Sequence, residues 1–329
     1  MKPRVKGGRP LWITGGRLPG VTHFQVHARN AAAMWEALSK GHGALLVGTE
    51  EVRIVAPSPY HALRAIVLDP DTNRPTTIAA ILDAMMAEAG RQRRVVEDAS
   101  GALDLSGHGF AARFRLTVMV REPEPVTVEP PSSAVGPPFP TVEPLSPAVE
   151  PDVHAGPPGT GGPPGTKADI CSVSGGSDVD VGNPEVHVAP VQEPRKLLVA
   201  ESILTAVFPP SGPAPDLQGR IQPRRVLDIP GWRVWLGYRD DVPAGAVYTF
   251  HDGTSLGVYQ LATLPEHRGH GVARALMAAI LRAYPTDIIT LSATDQGRPL
   301  YTKLGFTVSS TAIWWQPSHT GDDSGGVLR

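Results

Sequence analysis

Residues 264–277 read Leu-Pro-Glu-His-Arg-Gly-His-Gly-Val-Ala-Arg-Ala-Leu-Met, with an apolar segment behind them and an amphipathic one ahead. These types predict a strand, a turn carrying Gly269 and Gly271, and a helix. The two glycines remove side chains that would hold a ligand's phosphates off the backbone, and the first turn of the helix aims unpaired N–H groups at the same place. The chemistry is anion binding by main chain. Arg268 enters the turn beside the glycines, and Ala273 is small enough to let the helix come close to the strand. Two other patterns carry less. Gly156-Pro157-Pro158-Gly159-Thr160-Gly161-Gly162 has the glycines of a nucleotide loop, yet it lacks a Gly-Lys-Ser/Thr ending and flanking elements. His251, His267 and His270 have no Cys, His or carboxylate partners at metal-ligand spacing, so no metal is expected.

Short glycine patterns often do no more than make turns, so the loop needs matching elements around it. Residues 233–238, 245–251 and 255–264 read as an antiparallel meander with Asp252-Gly253 as a hairpin turn. Downstream, a strand at 288–293 precedes Pro299-Leu300-Tyr301-Thr302-Lys303-Leu304-Gly305-Phe306, a short helix ending in a Tyr and then a Gly-Phe that opens another strand. Taken together over about residues 195–317, the spacing Arg268-x-x-Gly271-x-Ala273 and the Tyr301…Gly305-Phe306 segment resemble the GNAT acetyltransferase superfamily.

That resemblance implies an α/β fold, a mixed but mostly antiparallel central sheet flanked by helices. It implies acetyl-CoA as co-substrate and direct transfer of its acetyl group to a primary amine of a small-molecule or peptide acceptor. Pantetheine would lie where the fourth strand splays from the fifth, against Ala262 and Leu264, with a backbone N–H near Leu264 polarising the thioester carbonyl. Arg268, Gly269, His270, Gly271, Val272, Ala273 and Arg274 would hold the pyrophosphate. Tyr301 would protonate the departing thiolate, because a phenol with a pKa of about 10 is still a proton donor at neutral pH. Glu266, His267, His251 and Asp252 are candidate bases, with an ordered water chain the alternative. Where the family often has Asn after the fifth strand, this chain has Thr294-Asp295-Gln296, a departure from the pattern.

The remainder of the chain sets limits. At 329 residues it has room for two domains, and a net charge of −2 provides no basic field to recruit nucleic acid or an anionic membrane. One cysteine, Cys171, excludes an internal disulfide framework. With no apolar run of spanning length and no signal-like leader, a cytoplasmic protein with no membrane partner is expected. Residues 1–20 read as a flexible basic tail and 318–329 as a disordered one. Of the 35 prolines, 17 fall within 123–194, with few large apolar residues, so 122–194 is expected to be a disordered linker. Trp232 and Trp235 are read as core or domain contacts rather than as a cation-binding cage.

Residues 21–121 present the same order of elements as 195–317. A helix is expected over 30–40, strands at 44–47, 52–56 and 63–68, a second helix capped by Asn73 with Pro75 in its first turn, and strands at 94–97 and 113–121. At an offset of 195, Leu68-Asp69-Pro70-Asp71 meets Thr263-Leu264-Pro265-Glu266, and one further residue puts Gly109-Phe110 on Gly305-Phe306. This suggests a degenerate copy in tandem. Asn73, Arg74 and Thr76 stand where the loop has Arg268, Gly269 and Gly271, and Leu105 stands where it has Tyr301. A second class of function remains open, a catalytically silent acyl-CoA-binding regulatory or interaction protein.

Overall fold

The computed structural model describes residues 20–40, 44–56, 58, 61–69, 71, 73–87, 93–123, 186–209, 219 and 221–318. The N-terminal tail, most of the proline-rich segment and residues 319–329 lie outside this set. The chain begins with α1 (His23–Ser39), β1 (Ala44–Gly48), β2 (Val52–Ala56), β3 (Leu63–Val67), α2 (Pro75–Ala87), β4 (Arg94–Asp98) and β5 (Phe110–Arg121). It resumes with β6 (Val186–Pro190), α3 (Pro194–Val207), β7 (Trp232–Arg239), β8 (Val242–His251) and β9 (Ser255–Thr263). The last elements are α4 (Val272–Ala283), β10 (Ile288–Ala293), α5 (Arg298–Lys303) and β11 (Thr307–Pro317).

Three expectations need correction. α1 starts at His23, not at residue 30, because Thr22 and Gln25 form a capping box in which the Thr22 N–H donates to Gln25 Oε1 at 2.9 Å. Asn73 does not cap α2. Its side chain ties down the later loop, donating to the Ala102 carbonyl at 2.7 Å and accepting from the Asp104 N–H at 3.1 Å. The segment 122–194 is not linker throughout, since Val186–Pro190 pairs antiparallel with β7. That strand lies at the sheet edge, where a terminal proline costs no ladder bond.

Among the described residues all strands join one sheet, in the order β1-β2-β3-β4-β11-β5-β10-β9-β8-β7-β6. Each half contains one parallel pair joined by a helical crossover, β3 with β4 through α2 and β9 with β10 through α4. The last strands of the halves are exchanged. β5 lies between β10 and β11, and β11 lies between β4 and β5, all antiparallel. The central β5–β11 ladder runs from Thr307↔Val120 to Pro317↔Phe110.

Successive side chains on a strand face opposite sides of the sheet, and both faces are covered. α1 and α3 share one apolar core with Ile66, Trp232, Val234 and Tyr248. On the other face, α4 packs over Trp235, Val247, Leu256 and Leu291, and a separate core holds Ile81 and Met85 of α2 against Ile54 and Ala65. Trp232 and Trp235 are 5% exposed and belong to these cores. A largely buried Arg64–Glu97 ion pair bridges β3 and β4, with the guanidinium 4.1 Å from the Trp35 ring of α1 and 5.5 Å from Trp314 of β11.

The exchange makes the halves interdependent, because a chain of residues 186–318 alone would leave the edges of β10 and β11 without β5 between them. Such a fragment is expected to aggregate or to unfold without a cooperative transition, and co-expression with residues 20–123 is expected to return a soluble complex. Size-exclusion chromatography and thermal melting of the two preparations check this. A monomeric, cooperatively melting 186–318 fragment would contradict it.

Candidate active site

The glycine loop is a short 3-10 turn, Pro265–His267, followed by Arg268 to Gly271 and then α4. Gly269 and Gly271 have φ of +79° and +84°, the left-handed region that a side chain disfavours, and a Cβ on either would meet no atom within 4 Å. The space over the loop is therefore open. The first helical bond is donated by the Ala275 N–H to the Gly271 carbonyl at 2.9 Å, and no side chain caps the helix. The N–H groups of Val272 and Ala273 precede that bond at the positive end of the helix dipole. Arg268, His270 and Arg274 are exposed around the opening, and Arg268 Nε donates to the Thr263 carbonyl at 3.3 Å. The cradle fits an anionic diphosphate.

Room for α4 against the sheet comes from the strands more than from Ala273, which is only half-buried. A Cβ on Gly245 would lie 2.8 Å from Val272 Cγ1 and from the Ala262 carbonyl oxygen, and one on Gly237 would lie 3.0 Å from the same Val272 atom.

Beside the loop the sheet parts. β9 and β10 pair from Ser255↔Ile288 to Val258↔Leu291 and then stop, although the strands continue to Thr263 and Ala293. On the β8 side the register shifts between Ala246 and Tyr248, and Gln260 has φ of +52°. An extra residue in one strand bends it away from its neighbour, so this bulge opens the gap. The Leu264 N–H donates to the Ala244 carbonyl at 2.9 Å. It is committed to β8, so a backbone N–H near Leu264 that polarises a thioester carbonyl would have to come from a neighbouring residue. Backbone groups alternate sides along a strand, so Ala262 likewise faces β8, where it pairs with Ala246, and the groups facing the gap belong to Leu261 and Thr263.

Tyr301 lies on α5 in the same apolar core as Val272, Leu291 and Ala293, from the helix and strand that border the opening. It is 8% exposed, its ring 5.9 Å from that of Phe306. Burial pushes its hydroxyl pKa up to about 12. Thr294, where the family pattern has Asn, instead closes the turn that precedes α5, its Oγ1 accepting from the Gly297 N–H at 3.2 Å.

The candidate bases divide. His251 and Asp252 sit at the β8–β9 hairpin, the opposite end of β9 from the loop and roughly 25 Å away along the strand. Both have other partners. Asp252 Oδ1 accepts from the Thr254 and Ser255 N–H groups at 2.7 and 2.8 Å, and His251 Nε2 lies 3.2 Å from Asp287 Oδ1. Glu266 and His267 remain on the loop, the former exposed. Among the described residues no group of three or more His, Cys, Asp or Glu could hold a metal ion, and no helix is long and apolar enough to cross a membrane.

On the face opposite α4, the parting strands meet α1 from the other half. His27 Nδ1 is 2.9 Å from Thr290 Oγ1 and its Nε2 2.9 Å from Ser292 Oγ. The Tyr259 hydroxyl donates to Asn30 Oδ1 at 2.6 Å.

Residues 230–308, which hold the meander, the loop, α4, the parted strands and α5, match the family described as Acetyltransferase (GNAT) domain. The chain carries a GNAT domain. The fold is similar to that of a GCN5-related N-acetyltransferase from Kribbella flavida, at 17% identity and TM-score 0.52, covering 90% of this chain and 96% of that one. It is also similar to a functionally unknown conserved protein from Staphylococcus epidermidis ATCC 12228, at 10% identity and TM-score 0.50, covering 84% and 94%. No curated protein matches the sequence.

The GNAT domain thus brings Arg268 to Arg274 together around one opening and sets Tyr301 in the core beside it. Sequence reasoning missed His27, Asn30, Gln260 and Gly257. The first two had a signal: they share an α1 face with Met34 and Leu38, and a polar residue on an apolar face asks for a partner.

Burial lowers the His27 pKa from 6.5 to about 4, so the folded chain holds it neutral. Unfolded chain takes up the proton first as pH falls, so the stability this group contributes is whole above pH 6.5 and is lost between 6.5 and about 4. The loss approaches about 3 kcal/mol. Urea denaturation at pH 7.5, 5.5 and 4.5 should show a steeper acid decline for the intact chain than for His27→Gln; parallel declines would contradict the assignment.

Proposed function

We propose that the C-terminal half is an N-acetyltransferase that moves an acetyl group from acetyl-CoA directly to a primary amine of a small-molecule or peptide acceptor. One observation carries the reading: the open cradle at the start of α4 adjoins strands that part at Val258 and Leu291, with Tyr301 in the core that borders them. Acetyl-CoA supplies an activated acyl thioester. The cradle residues Arg268 to Arg274 would hold its diphosphate by main-chain N–H groups and nearby positive charge. The gap would take the extended pantetheine arm, with backbone groups of Leu261 and Thr263 along one side. Holding donor and acceptor in fixed geometry supplies much of the rate in such reactions. The Tyr301 hydroxyl keeps its proton well above neutral pH and would hand it to a leaving thiolate.

The N-terminal half is proposed to be the degenerate copy. Its element order and parallel pair support this, as do Gly109 and Gly305, with φ of +79° and +83° ahead of the two exchanged strands. Pairing of β3 with β4 runs unbroken from Leu63↔Arg94 to Val67↔Asp98, β3 has no bulge against β2, and Arg64 and Glu97 cross the pair. Such a closed pair leaves no path for pantetheine, so this half serves as scaffold.

Calorimetric titration of acetyl-CoA into the full chain is expected to show binding that Gly271→Trp abolishes by filling the cradle. With an accepted amine, Tyr301→Phe should lower kcat by about 10²–10⁴-fold with little change in acetyl-CoA affinity, and the intact chain should lose no activity to Tyr301 ionisation below about pH 11. Absence of binding to the intact chain would sink the proposal. Binding without turnover across a broad amine panel would leave the silent acyl-CoA-binding protein in its place.

A further inference from the structure

Tyr259 and Ser292 are the first residues beyond the last β9–β10 pair, one on each side of the opening. Both side chains end on α1, a helix of the other half, and on residues three apart along it, which share one face. Asn30 accepts from the Tyr259 hydroxyl, while its amide donates to the Ser255 carbonyl at 2.9 Å and the Phe250 carbonyl at 3.3 Å, behind the opening. His27 bonds Ser292 with one ring nitrogen and Thr290, still in the paired stretch, with the other. Each α1 residue therefore holds the first parted residue of a strand and an anchor in or beside the paired stretch. Asn30 is fully buried and His27 8% exposed, where leaving a polar group without its partner is costly. Gly257 makes the contact possible, since a Cβ there would lie 2.1 Å from Asn30 Oδ1 and 2.5 Å from the Tyr259 hydroxyl oxygen.

We propose that α1 is a brace across the fork of β9 and β10, and that His27 and Asn30 are positioning residues that fix the opening for the thioester end of an acyl-CoA. This rests on the acyl-CoA reading of the loop and adds to it a role for the N-terminal half in the site. The α4 cradle, at the far end of the opening, is held by its own glycines and by α4, so the brace acts on the acyl end and not on the nucleotide end.

The test uses the full chain and four variants: His27→Ala and Asn30→Ala on the helix, and Tyr259→Phe and Ser292→Ala, which delete single hydroxyls from the sheet side and keep the measurement possible should a helix variant fail to fold. Each is titrated with acetyl-CoA and with 3′-phosphoadenosine 5′-diphosphate, the nucleotide end alone, and amide hydrogen exchange is read without ligand. Acetyl-CoA affinity is expected to fall about five- to tenfold, the loss of one hydrogen bond's worth of preorganisation, with nucleotide affinity unchanged. Exchange should quicken at 259–263 and 292–293 while α4 stays protected. Equal weakening of both ligands, or of neither, overturns the brace. If the intact chain binds the nucleotide but gains nothing from the acyl-pantetheine arm, the positioning role fails while the loop reading stands; if it binds neither, the acyl-CoA reading itself has failed and the positioning role with it.

Discussion

The antiparallel pairing of β5 with β11 is the constraint on which the rest of the molecule depends. Each strand ends its own half, and each is bordered on its far side by the penultimate strand of the other half, β10 for β5 and β4 for β11. Main-chain groups of both strands are satisfied only in that arrangement, and an unpaired backbone group inside a sheet costs about as much as a lost hydrogen bond. The eleven strands of the described residues therefore form one sheet whose middle belongs to both halves. Because the sheet is continuous, α1 can extend over β9 and β10 as well as over β2 and β3, and a helix from one half comes to lie on the parted strands of the other.

Within that sheet two parallel pairs take different courses. β3 and β4 stay paired to the end of β3, whereas β9 and β10 part after Val258 and Leu291. The local cause is the bulge at Gln260, a non-glycine residue held at positive φ. Such a conformation is disfavoured and persists where surrounding structure over-determines it, here the resumed β8 pairing at Ala246↔Ala262 and the Leu264–Ala244 bond on one side, and α1 on the other. The parting, the open glycine cradle and the buried Tyr301 are three features of one region.

Buried polar contacts set the alignment of α1. His27, Asn30 and the Arg64–Glu97 pair sit in or beside an otherwise apolar core. Contacts of this kind contribute little net stability compared with well-packed hydrocarbon, but they are expensive to break, so they favour one seating of the helix over nearby alternatives. The surrounding alanines and aliphatic groups supply the burial without specifying that seating.

The sequence by itself determined the local elements and the open glycine loop before α4. Glycines at 269 and 271 before an amphipathic helix, a Tyr three residues before Leu304-Gly305-Phe306, and the alternating meander all act over short spans, where backbone preference and side-chain period decide the outcome. The capping box at Thr22 was equally legible and went unread, which displaced the start of α1 and hid His27. Tertiary structure alone decided the exchange of β5 and β11, the commitment of the Leu264 N–H to β8, and the meeting of His27 and Asn30 with residues 220 or more positions away. Those outcomes depend on which strand neighbours which and in what register, and a shift of one residue in either reverses which groups face the gap.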